Sequence, residues 1–108
     1  MTKIKTSDLE GEPLNWAVAE AVGDNPVIID GEVITGSWWG PFEPSVDWAQ
    51  CGPLLDEFKP DLEWIVDGTV RADIEDSIGY GSTHLQAVCR AIVAAKMGDE
   101  VDVPEELV

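Results

Sequence analysis

His84 is the only histidine in the sequence, and any serine or cysteine nucleophile would need it as a base. It directly follows Ser82 and Thr83 in "GYGSTHLQ", a neighbourhood of hydroxyls that does not match a relay arrangement; an exposed histidine at a helix start is the plainer assignment. Cys51 and Cys89 stand far apart without the short-interval partners of a zinc site, so they read as two buried or half-buried free thiols. With 22 acidic side chains, some pair falls at hydrolase spacing by chance, and pairing says nothing. No nucleophile–base pair and no ligand cluster emerges. The expectation is a protein that is not an enzyme and carries neither metal nor cofactor.

Binding chemistry is better represented. "WWGPFEPSVDWAQCGP" (38–53) concentrates three of the five tryptophans among prolines and glycines, in a stretch expected to be irregular. Flat rings are held by aromatic stacking, with a few polar groups reading their edges. Trp38, Trp39, Phe42 and Trp48 offer a stacking face; Ser45, Asp47 and Gln50 offer donors and acceptors. A lid over the core is the other role open to these indoles. In "GYGSTHLQ", Gly79 and Gly81 precede the hydroxyls of Ser82 and Thr83 at the start of a helix, where free N–H groups and the positive dipole end attract phosphate or carboxylate. Arg90, one or two turns on, or Arg71 would supply the counter-charge. Simple capping by Ser82 or Thr83 is the alternative. The longer phosphate-loop pattern is missing, so no nucleoside triphosphatase is implied.

"PSVDWAQCGPLLDE" (44–57) resembles the signature of a bacteriophage family called NinX-like, a domain of unknown function. "KTSDLEGEPLNWAVAEAVG" resembles the family's opening and "LQAVCRAIVAAKMGDEVDVPEEL" its close, leaving variable stretches near residues 24–37 and 57–78. Val46 stands where threonine is usual and Cys51 where glycine is usual. The resemblance implies a small phage accessory protein acting in the host cytoplasm, and it hands over no activity. It also singles out the loop around Trp48, since hallmark loops more often bind than merely connect.

The elements that would position these residues follow from periodicity. A short strand opens the chain, then a helix over about Glu12–Val22, with Pro13 in its first turn and Leu14, Trp16, Ala17, Val18, Ala21 and Val22 on its apolar side. Trp16 belongs to the core on this spacing. "VIIDGEVIT" and "LEWIVDGTVRADI" each read as a hairpin turning on Asp-Gly. "PLLDEFK" has room for one or two helical turns. "STHLQAVCRAIVAAKMG" is a helix capped by Ser82 or Thr83 and ended by Gly98, burying Leu85, Val88, Cys89, Ile92, Val93 and Met97. Alternating valines in "DEVDVPEELV" suit an edge strand before a final turn. The fold class is α+β: a small antiparallel sheet of two hairpins with two main helices packed on it, one domain over 1–108.

Charge bounds the partners. Twenty-two acidic against six basic residues give a formal net charge of −16. Such a field repels nucleic acid and anionic membranes at long range, so direct nucleic-acid and membrane binding are not expected. Apolar runs fall short of a membrane span, and "MTKIKTSDLEGEP" lacks a signal-peptide core, which together suggest a soluble protein of the host cytoplasm. The leading expectation is a protein that counters host defence by sequestering a small nucleotide-like ligand, base on the aromatic loop and phosphate at the "GSTH" helix start. Sequestering proteins often assemble as homo-oligomers with sites between copies. The alternative is an acidic DNA mimic, or a protein inhibitor, that occupies a host nucleic-acid-binding or defence protein.

Overall fold

The computed structural model describes residues 1–36 and 40–108, the side chain of Val66 excepted. Strand β1 (Thr2–Lys5) leads through a 3-10 turn into helix α1 (Gly11–Ala21), where Pro13 occupies the first turn and Leu14, Trp16, Ala17 and Val18 are buried as their spacing requires. Strands β2 (Val27–Ile29) and β3 (Glu32–Ile34) form the first expected hairpin. Asp30 and Gly31 both take positive φ (52° and 79°), the geometry a two-residue turn needs to follow strand twist. The hairpin is tied to α1 by the Glu12 carboxylate, which accepts from the Val33 N–H at 2.8 Å.

Helix α2 (Trp48–Phe58) corrects the expectation of an irregular segment through residue 53 followed by one or two turns. Asp47 caps it, and Pro53 lies inside its eleven residues. A proline there removes one backbone bond, while burial of Gln50, Cys51 and Leu54 keeps the helix on the core. Lys59, in the left-handed conformation, closes it.

The second hairpin also forms, as β4 (Asp61–Trp64) and β5 (Val70–Ile74), but residues 65–69 make a wider connection than a two-residue turn. Asp67 and Gly68 supply its positive φ angles, and the Ile65 N–H donates to the Thr69 carbonyl. A strand not expected from the sequence, β6 (Ser77–Gly81), pairs with β5 across a Glu75-Asp76 turn. Its glycines are packing devices rather than loop residues. A Cβ on Gly79 would collide with the main chain of Ala87 and Ala91, and one on Gly81 would crowd Ala87 and Gln86.

Helix α3 (His84–Met97) thereby lies close against β5 and β6 and buries Leu85, Ala87, Val88, Cys89, Ala91, Ile92 and Val93; Met97, expected in that face, is exposed at its end. Gly98 ends the helix, and β7 (Glu100–Val103) pairs antiparallel with β1, the edge strand anticipated from the valines. The fold is α+β, with three α-helices among the described residues. The two hairpins belong to separate sheets, β2–β3 and β4–β5–β6, with β1–β7 a third. Cys51 and Cys89 are free and buried between α2 and α3; the hydrogen bond that Cys89 donates to Cys51, together with burial, holds the Cys89 thiol well above its ordinary range. A thiol kept protonated is a poor nucleophile.

Candidate ligand site at three helix starts

The residues of the Asp-Trp-Ala-Gln signature hold one another. Asp47 accepts from the Ala49 N–H at 2.9 Å through one carboxylate oxygen and from the Gln50 amide at 3.2 Å through the other. Gln50 is buried; its amide also donates to the Pro41 carbonyl, and its oxygen accepts from the Glu43 N–H at 2.8 Å. The Ser45 hydroxyl, buried as well, donates to Asn15 on α1 at 2.7 Å. Asp47 and Gln50 are thus committed to building the corner rather than reading a ligand. Phe42 is 6% exposed and belongs to the core. Trp38 and Trp39 lie outside the described residues. What the corner presents is Trp48, 58% exposed at the first position of α2, so this indole is not a core lid.

The start of α3 faces the same space. Thr83 is its cap, its hydroxyl accepting from the Gln86 N–H at 3.1 Å, while the Gln86 side chain accepts from the Ser82 N–H at 2.9 Å. Helix geometry leaves the N–H groups of His84 and Leu85 without intrahelical acceptors. Between α2 and α3 opens a cavity of ≈ 570 Å³, bordered by Ser45, Val46 and Trp48 on one side and by the run from Ser82 to Gln86 on the other. Gly11 and Trp64 complete the border. Gly11, Trp48 and His84 are the first residues of α1, α2 and α3, so three helix N-termini meet at one cavity. Each carries part of the positive end of a helix dipole.

Two aromatic rings of this site were not assigned to it from the sequence. Trp64 ends β4 in register with Val70 and Gly81, which carries it along the sheet row toward the Ser82–His84 turn; there it is 61% exposed. His84 is half-buried between the indoles: its ring meets Trp64 edge-on at 4.8 Å between centroids and an interplanar angle of 89°, and lies 6.3 Å from Trp48 at 43°. The alternation of Leu62 and Trp64 was the available signal for the first, and the position of His84 beside the capping residues for the second.

Arg90 is elsewhere. Its Nε donates to the Leu9 carbonyl and its Nη1 to the Tyr80 carbonyl, both at 2.8 Å, and it borders a separate cavity of ≈ 400 Å³ with Lys5 and Asp99. Burial lowers its pKa, with Glu10 and Asp8 acting in the opposite sense. Arg71 is occupied by Asp73, at 2.9 Å, and Glu63. In a chain with 22 acidic residues, none of the ten described residues bordering the larger cavity is acidic or is a lysine or arginine, and His84 is the one imidazole among them. Among the described residues no cluster suits a metal ion, and no helix is long and apolar enough to cross a membrane.

An α+β chain with an aromatic-walled cavity at converging helix starts is the class this geometry defines. The chain belongs to the bacteriophage P22 NinX family, whose model matches residues 5–96 and so takes in every element from the end of β1 through nearly all of α3. No curated protein matches the sequence.

Proposed function

We propose that this phage protein binds and sequesters a small nucleotide-like ligand in the cavity between Trp48, Trp64 and the start of α3, without catalysis, and that it does so in the host cytoplasm to blunt a host defence. One observation carries the reading: two indoles, each more than half exposed, flank a carboxylate-free cavity of ≈ 570 Å³ in a protein of net charge −16. Its size is within the range of small-molecule sites, about 300–1,000 Å³. Exposed indoles favour stacking on a base, and the helix starts favour the phosphate end. The overall negative field opposes an anion at a distance; it is screened over about 8 Å at physiological salt, so the local donors dominate inside the cavity.

The charge that opposes this reading favours a second one, in which the acidic surface occupies the basic groove of a host nucleic-acid-binding protein. Native mass spectrometry of the protein recovered from phage-infected cells separates them. A bound species of nucleotide mass that is lost in Trp48→Ala supports sequestration. A stoichiometric host nucleic-acid-binding protein, with no small molecule, replaces it with mimicry.

A further inference from the structure

We infer that His84 is the contact that makes the site select a phosphorylated ligand over its uncharged nucleoside, and that Trp64 is the positioning residue that aims it. The inference rests on the ligand reading above. Arginine cannot fill this role here, because Arg90 is spent on two carbonyls in another cavity and Arg71 on two carboxylates. Within the cavity border, which holds no lysine or arginine, His84 is the one imidazole. An imidazole donates at least one N–H in either protonation state, so it can hold a phosphate oxygen with or without an extra proton. The imidazole meets Trp64 edge-on at 4.8 Å and 89°, and it stands 6.3 Å from the Trp48 ring at a tilt of 43°, so it borders the same cavity as the indole on which a base would stack. A ligand ring on Trp48 therefore brings its substituent toward His84.

The test compares adenosine 5′-monophosphate with adenosine, each titrated calorimetrically into the wild-type protein and its variants. In wild type the monophosphate binds more tightly. His84→Gln is expected to weaken the monophosphate about tenfold, the scale of one charge-assisted hydrogen bond, and to leave adenosine unchanged. His84→Lys, which keeps an N–H donor at the position, is expected to keep the preference, and it carries the comparison by itself where the glutamine variant does not fold. Trp64→Leu is expected to erode the preference and Trp64→Phe to restore it, a readout that a merely structural indole would not move. Equal losses for both probes in His84→Gln, or no loss at all, overturn the inference while leaving the binding site standing. Failure of wild type to bind either probe overturns the nucleotide reading itself, and this inference with it.

Discussion

Trp48 stands at the head of a helix whose next turn is buried, yet 58% of its own surface meets solvent. Removing it should therefore cost little stability. Trp48→Ala is expected to shift unfolding by under about 1 kcal/mol, against about 3–5 kcal/mol for a buried indole. It should weaken adenosine monophosphate at least about tenfold, since stacking contributes about 1–3 kcal/mol per base. Urea unfolding and calorimetric titration of the same variant check both halves; a collapsed midpoint would return Trp48 to the core. Thr83 and Arg90 separate in the same way. Thr83→Ala removes the acceptor of the Gln86 N–H and should cost about 0.5–2 kcal/mol, the usual value of a cap, with a smaller effect on ligand. Arg90→Ala leaves the Leu9 and Tyr80 carbonyls without their donor. It should lower stability by about 1–3 kcal/mol and leave affinity for the monophosphate unchanged.

Two glycines show how differently one residue type serves its element. Gly79 on β6 allows the strand to lie against α3, and a methyl there meets the main chain of Ala87 and Ala91. Backbone cannot turn aside as a side chain can. Gly79→Ala should cost at least the upper part of the 1–3 kcal/mol typical of overpacking, read as a lower midpoint in circular dichroism melts. Gly52, within α2, has nothing within 4 Å of an added Cβ and no positive φ, so Gly52→Ala should gain about 0.5–1 kcal/mol. Those same glycines decide what the sequence could disclose. The Asp30-Gly31 hairpin, the capped α3 and the valine edge strand were legible because each carries its own local signal. "IGYG" reads as a loop because glycine weakens a strand locally; its reason for being glycine lies in a different element, the main chain of α3 that packs against it. "AQCGPLL" reads as a break because Gly-Pro usually punctuates, whereas the Asp47 cap starts the helix five residues before the proline. The Trp48 corner and the "GSTH" start were each visible as separate candidates. Their meeting at one cavity, and the arrival of Trp64, depend on the register of β4, β5 and β6.

At the scale of the whole molecule, a net charge of −16 is spread over a body of 37 × 27 × 23 Å. Screening falls off over about 30 Å at 0.01 M salt but about 8 Å at 0.15 M. At the lower salt each carboxylate therefore feels much of the rest of the surface, and at the higher only its neighbours. Self-repulsion destabilises the compact state, so the melting temperature should rise as sodium chloride is added across this interval. The ligand's response to the same titration tests what the charge is for. Adenosine is neutral, and its affinity should stay flat. Adenosine monophosphate is repelled by the distant field and held by donors inside the cavity, so screening the field should leave its affinity within a few-fold or raise it. An acidic mimic held on a basic host partner behaves oppositely, releasing steeply as its exposed charge pairs are screened. Calorimetric titrations with adenosine monophosphate at about 0.01 M and about 0.15 M salt give the sign directly. Affinity that holds or rises supports a pocket built to overcome the protein's own field, and a steep loss with salt would mean that exposed charge does the binding.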